Sequence, residues 1–214
     1  MLLHIENLRE DYAGQHLTIE NTTASPIDQF EDWLEAAING KLPEPNAMTL
    51  ATVRTDGRPA ARIVLLKGFD PNGFVFYTNY ESRKGEELAA HPFAALVFNW
   101  LELQRQVRIE GSIEKISAEE SDRYFQSRPK GSQIGAWVSP QSKVIPNREV
   151  LEEKQALLDQ QYADTSVLPR PENWGGFLLR PELIEFWQGQ TSRLHDRIQY
   201  LKEGQNWIKA RLAP

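Results

Sequence analysis

Cysteine is absent from this 214-residue chain. That excludes disulfides, thiolate-bound zinc and a cysteine nucleophile. No apolar run reaches the roughly 18 residues of a membrane span, so no membrane-crossing helix is predicted. Residues 1–10 lack the basic stretch followed by an apolar one that marks a secretory leader, and a cytoplasmic location is the default expectation. Neither a G-x-G-x-x-G fingerprint nor a P-loop is found, which argues against a Rossmann or nucleoside triphosphate site. Histidine is confined to His4, His16, His91 and His195, with no H-E-x-x-H pair, which argues against a zinc hydrolase. Basic residues are outnumbered, 24 against 30 acidic, and the net charge of −6 argues against a general nucleic-acid binder. A local basic pocket is still compatible with that balance.

The chain is 40% hydrophobic and long enough to bury a core in one large domain without staples. Residues 1–24 are irregular and polar and read as a flexible N-terminal arm; 25–214 reads as one domain. Ser25-Pro26 opens a helix whose apolar face is Ile27, Phe30, Trp33, Leu34 and Ala37, and Gly40 ends it. Strands are then predicted over 48–54, 60–69 and 74–79, joined by Asp56-Gly57 and Pro71-Asn72-Gly73 turns. A short helix over 83–90 precedes strands 93–101 and 104–116. Ser117 and Glu120 form a capping box for a helix that Pro129 stops. Helices are also expected over 133–138 and 148–162. Strands return at 176–179, 184–188, 193–201 and 207–212. The sum is a mainly β, antiparallel barrel with helices packed outside, closed because open edges would need protection.

Four groupings are candidates for chemistry. Ser82 caps a helix and puts Arg83 and Lys84 in its first turn, where cations oppose the helix dipole unless an anion binds there. Two solvated side chains on a surface turn would look the same. Arg193, His195 and Arg197 alternate, so on a strand they share one face about 7 Å apart, while Asp196 points away and is a poor partner for them. Three basic groups together call for an anion, although an exposed edge strand is the plain alternative. Tyr124 and Arg128 lie four apart on a helix face, and Ser132 is placed to cap the next helix, so a hydroxyl, a guanidinium and a helix N-terminus converge. Arg62 and Lys67 flank an apolar strand, Ile63-Val64-Leu65-Leu66; five apart, they point to opposite faces unless a bulge re-aims one. Trp187 suits a flat ring or a core, and Gln106, on a polar face with Gln104 and Arg108, suits ring carbonyls and nitrogens or water.

These segments together resemble the pyridoxamine 5′-phosphate oxidase family. The matching strings are Arg62–Lys67 (RIVLLK), FYTN at 76–79 followed by Ser82-Arg83-Lys84, Glu110-Gly111, and SRPKGSQIGAWVSPQS at 127–142. Trp174-Gly175-Gly176, IEFWQG at 184–189, RLHDR at 193–197 and RLAP at 211–214 complete the set, all in order. The resemblance implies an FMN-binding split β-barrel of Greek-key-like connectivity, acting as a homodimer with shared active sites. It implies FMN held by Arg62, Ile63, Val64, Leu65, Leu66, Lys67, Tyr77, Thr78, Arg83, Lys84, Gln106, Gln141, Ser142, Trp187 and Arg197. Substrate would meet Lys67, Tyr124, Arg128 and Ser132 at its phosphate and Arg193, Leu194 and His195 at its ring. Residues 8–12 are similar to a family segment that can fold over the active site, which would make Arg9 and Tyr12 lid residues in contact with substrate.

The implied reaction converts pyridoxamine or pyridoxine 5′-phosphate to pyridoxal 5′-phosphate, with O2 as acceptor and H2O2 as by-product. Arg193, too basic to take a proton, is expected to orient and stabilise charge; His195 is expected to shuttle a proton. No metal, nucleic acid or membrane is implied. The rival reading is a non-catalytic FMN-binding protein of the same barrel, which would not need Tyr124, Arg128, Ser132, Arg193 and His195. A third is an interaction module whose basic strand binds an acidic partner.

Overall fold

The computed structural model describes residues 11–214. Helix α1 (Pro26–Asn39) begins as the sequence dictates: the Ser25 hydroxyl accepts hydrogen bonds from the Ile27 and Asp28 N–H groups at 3.2 and 3.3 Å. Its predicted apolar face is buried. The remaining helices are α2 (Arg83–Ala90), α3 (Ala118–Ser127), α4 (Lys130–Val138) and α5 (Glu149–Gln161). The strands are β1 (Ala47–Val53), β2 (Pro59–Leu65), β3 (Gly68–Asp70), β4 (Gly73–Asn79), β5 (Phe93–Trp100), β6 (Arg105–Lys115), β7 (Trp174–Gln188), β8 (Asp196–Glu203) and β9 (Asn206–Arg211). They form one sheet in the order β2-β1-β5-β6-β7-β4-β3, with β8 on β7 and β9 on β8. No helix among the described residues is long and apolar enough to cross a membrane.

The chain divides into two compact units. The first holds residues 11–50, Ala95–Glu110 and Pro181–Pro214. Its core is aromatic: Phe30 is fully buried and packs on Phe98 with ring centroids 4.9 Å apart, and Trp33 meets Phe186 edge-on at 5.2 Å. Residues 11–24 form no helix or strand, yet Leu17 is buried and its N–H donates to Asp196 at 3.0 Å. The second unit holds Ala51–Ala94 and Gly111–Arg180. There Phe125, Ile134, Val138, Leu168 and Trp174 cluster, and Leu151 and Leu158 of the otherwise exposed α5 pack against them.

Four predicted strands differ in the structure. The predicted strand 60–69 is broken at Leu66-Lys67, because β2 and β3 are the two edges of the sheet path. Two residues carry the chain from one edge to the other, so the edges come together within the second unit. Strands 176–179 and 184–188 are one strand, β7, which runs through Pro181. Residues 174–179 pair with β4 and 183–188 with β8, so Pro181, which has no N–H, falls between those two ladders. Finally, β8 begins only at Asp196: Thr191–Arg193 is a tight turn with Ser192 and Arg193 at φ of 57° and 62°. Arg193, His195 and Arg197 therefore do not share the face of one strand.

Replacing Phe30 by Ala is expected to remove about 3–5 kcal/mol of stability, since the ring is fully buried and packs on Phe98 and Trp100. A urea titration checks it; a loss under about 1 kcal/mol would mean that this core collapses around the gap.

Candidate functional site

Within the second unit, a cavity of about 480 Å3 is lined by Lys67, Lys84 and Arg128, with Tyr77, Thr78, Tyr124, Ser132, Gln141 and Trp174. The break after β2 re-aims Lys67: its N–H donates to the Val75 carbonyl at 2.9 Å and its side chain reaches the cavity. Ile63, Val64 and Leu65 line the same wall, whereas Leu66 is buried. Lys84, in the first turn of α2, donates to Gln141 Oε1 at 2.9 Å and Thr78 Oγ1 at 3.2 Å. Burial pushes its pKa down, the Arg62 cation adds to that, and the Glu87 carboxylate opposes both. Tyr77, Tyr124 and Trp174 stack nearly parallel, Tyr77 and Tyr124 with centroids 3.8 Å apart. Burial, with the Glu120 charge, pushes the Tyr77 hydroxyl up to about 12, so it stays protonated. Arg128 lies 4.6 Å over the Trp174 ring, and one of its terminal nitrogens is buried without a hydrogen-bond partner.

Among the described residues, none of Lys67, Lys84 and Arg128 has a carboxylate within ion-pair distance. Three cations facing one cavity repel each other and call for an anion. Arg128 ends α3 as its C-cap, and Ser132 sits inside α4. The expected capping role of Ser132 is therefore corrected: Pro129 is the N-cap, because Arg128 leaves α3 extended (ψ 151°) and Pro129 has already set the start of α4.

Two other expected arginines are engaged elsewhere. Arg62 donates to Thr52 Oγ1 at 2.5 Å and to Glu87 Oε2 at 2.8 Å, and Arg83 donates to Glu87 Oε1 at 2.9 Å. Burial pushes the Glu87 carboxyl up, but the hydrogen bonds from Thr52, Arg62 and Arg83 outweigh it and hold it below the usual range. Ser142 is exposed, with φ at 71°.

In the first unit, Tyr12, Gln104, Gln106 and Trp187 line a second cavity of about 410 Å3, together with Asn99 and Leu101. The Trp187 ring lies 4.6 Å from that of His195, and Tyr12 meets both edge-on at 5.9 and 5.6 Å. Arg193 and Leu194 are exposed beside them. Burial and the Arg193 charge lower the His195 pKa. Arg197 is held by the buried Glu185 in a two-pronged pair at 2.7 and 3.1 Å, and Arg108 donates to the same carboxylate at 2.8 Å. Arg9 lies outside the described residues. Asp196 is no bystander: it is buried and accepts from Arg211, Leu17 and Gln190. Sequence reasoning missed Glu87, Glu185, Gln190 and Asp196 as partners; only the Arg83–Glu87 spacing of four carried a signal.

The family model for pyridoxamine 5′-phosphate oxidase matches residues 34–161, and that for the pyridoxine 5′-phosphate oxidase C-terminal dimerisation region matches 174–214. The chain belongs to the pyridoxamine 5′-phosphate oxidase family. It is 57% identical over 213 residues, all of both chains, to the pyridoxine/pyridoxamine 5′-phosphate oxidase of Thermosynechococcus vestitus. It is 56% identical over 214 residues, again all of both chains, to that of Cyanothece sp.. Among solved structures, PhzG from Burkholderia lata, in complex with tetrahydrophenazine-1-carboxylic acid, is 31% identical with a TM-score of 0.87, covering 94% of this chain and 99% of that one. An FMN-binding oxidase-related protein of Nostoc punctiforme shares the fold at 20% identity and a TM-score of 0.71, covering 90% of this chain and all of that one. The expected fold, mainly antiparallel β with helices and of the oxidase family's class, is borne out, and the chain is an enzyme of the pyridoxamine 5′-phosphate oxidase family.

A carboxyl held below its ordinary value stabilises the fold above the ordinary carboxylate range, and that contribution is lost as pH falls through the lowered value. Wild-type stability in urea is expected to fall as pH drops from about 5 towards 3. Glu87→Gln is expected to be about 2–3 kcal/mol less stable at pH 7 and to lose less on acidification. Parallel acid limbs for the two proteins would contradict the assignment.

Proposed function

We propose that this enzyme oxidises pyridoxamine 5′-phosphate or pyridoxine 5′-phosphate to pyridoxal 5′-phosphate, with FMN as cofactor and O2 as final acceptor. The alcohol and O2 give aldehyde and H2O2; the amine, O2 and water give aldehyde, ammonia and H2O2. The observation that carries this reading is the cavity whose three cations have no carboxylate within ion-pair distance among the described residues, one of them, Arg128, with a buried, unpartnered guanidinium nitrogen. Two phosphate esters, one on each reactant, match that charge deficit in an otherwise acidic protein.

The residues present fit FMN. Lys84, Thr78 and Gln141 already form a hydrogen-bonded set at the cavity, suited to a phosphate or ribityl oxygens. Trp187 and Gln106 offer a ring face and an amide in the other cavity. FMN, when bound, supplies the two-electron acceptor chemistry. Lys67, Arg128, Tyr124 and Ser132 hold the substrate phosphate: two charges for its net negative charge and two hydroxyls for its oxygens. Tyr77 and Trp174 stiffen this wall by stacking on Tyr124. Arg193 and His195 act at the substrate ring, with Tyr12 covering it. The match of residues 174–214 to a dimerisation region supports a homodimer, in which we propose that each active site draws on both protomers. A non-catalytic FMN binder would have no use for the Tyr124, Arg128 and Ser132 set.

The purified protein is expected to be yellow, to bleach when pyridoxamine 5′-phosphate is added without oxygen, and to recover in air. A yellow protein that does not bleach would move the reading to the non-catalytic binder. Arg128→Ala is expected to raise KM for pyridoxamine 5′-phosphate at least about tenfold, as loss of a hydrogen bond to a charged group does, while kcat changes little. An unchanged KM would remove Arg128 from the phosphate site.

A further inference from the structure

The residue after His195 holds together the turn that carries it. Asp196 is only 5% exposed. Its carboxylate accepts from Arg211 at 2.6 Å, from the Leu17 N–H at 3.0 Å and from the Gln190 side-chain amide at 3.0 Å, with the His16 ring at 3.2 Å. Burial pushes this carboxyl up, but its hydrogen bonds outweigh that and hold it in the charged form. Gln190 is also buried, and its amide donates a second bond to the Gln15 carbonyl at 3.1 Å. The segments before and after the turn are thus tied to one carboxylate.

That anchoring fixes the backbone of Gln190, whose N–H points at His195 Nδ1, 3.1 Å away. A backbone N–H can only donate. Nδ1 must therefore be an unprotonated acceptor, and the ring proton of neutral His195 lies on Nε2. Protonating Nδ1 would set two donors against each other. Among the described residues, the other groups around the ring are the Arg193 cation, Tyr12 and Trp187, none of which offers a negative charge to an imidazolium.

We propose that Asp196 and Gln190 are positioning residues that hold His195 as a neutral Nε2–H hydrogen-bond donor toward an oxygen of the substrate, not as a proton acceptor. The words "toward the substrate" rest on the function proposed above; the tautomer and its anchoring do not. This replaces the proton-shuttle role that the resemblance suggested for His195. Any proton leaving a substrate hydroxyl then goes to solvent or to another group.

Nitrogen NMR of the histidine rings in the FMN-loaded enzyme tests it, with the His195 signal identified by its loss in His195→Asn. At pH 7.5 the ring is expected to show a bare Nδ1 and a protonated Nε2, and to titrate below the ordinary histidine value of about 6.5. Gln190→Ala cuts the link to Asp196 while leaving Asp196 its other partners. The ring is then expected to become a mixture of tautomers, its titration to rise towards the ordinary value, and the acid limb of kcat/KM to move with it. Asp196→Asn should act in the same direction, but it also weakens the Arg211 contact, so Gln190→Ala is the deciding variant. An Nδ1–H tautomer in the wild type, or an unchanged tautomer and titration in Gln190→Ala, would overturn the proposal. The spectra are read without turnover: an enzyme that fails to oxidise pyridoxamine 5′-phosphate defeats the proposed function and leaves the tautomer result standing, and the reverse also holds.

Discussion

Strand β7 changes its hydrogen-bonding partner at Pro181, and each half contributes one ring to a candidate cavity: Trp174 in the second unit and Trp187 in the first. Trp174, at its start, closes the stack with Tyr77 and Tyr124 and carries Arg128 on its face. Gly176 lies opposite Tyr77 in the ladder with β4, and a side chain there would strike Ile116 and the Tyr77 ring. The second half presents Trp187 opposite Arg197, with Glu185 two residues earlier on the same face to bind that guanidinium. A strand without the proline would have no local reason to release one partner and take the other between residues 179 and 183.

Charge compensation separates four arginines from the three cations of the larger candidate cavity. Arg62, Arg83, Arg108 and Arg197 each pair with a buried glutamate, Glu87 or Glu185. Their orientation is thereby fixed before any ligand arrives, since breaking a buried pair is costly. Lys67, Lys84 and Arg128 have no such partner among the described residues. In a chain of net charge −6, that pattern supports the proposed phosphate site: none of the three has a carboxylate of the described residues within ion-pair distance.

Much of this was legible in the sequence because local rules decided it. The Ser25 cap and the strands over 74–79 and 104–116 carry over to the structure, and Tyr124 and Arg128 line one cavity although Arg128 lies past the end of α3. What was not legible depends on distant partners or on unusual backbone. RLHDR alternates like a strand, but Ser192 and Arg193 adopt positive φ, which no spacing announces. Asp196 reads as a poor partner on the far face of a strand, yet it is buried, and its partners Leu17 and His16 come from 179 and 180 residues away. Arg62 and Lys67 left two orientations open until the two-residue passage between sheet edges decided for Lys67.

The central claim is that the uncompensated cations exist to bind phosphate. Calorimetric titration of the flavin-free protein with FMN and with riboflavin, which differ only in that group, tests it most directly. The account predicts that FMN binds at least about a hundredfold more tightly, a difference of roughly 2.7 kcal/mol. Equal affinities would contradict it, because Lys84, the uncompensated cation assigned to FMN, would then contribute nothing to holding its phosphate.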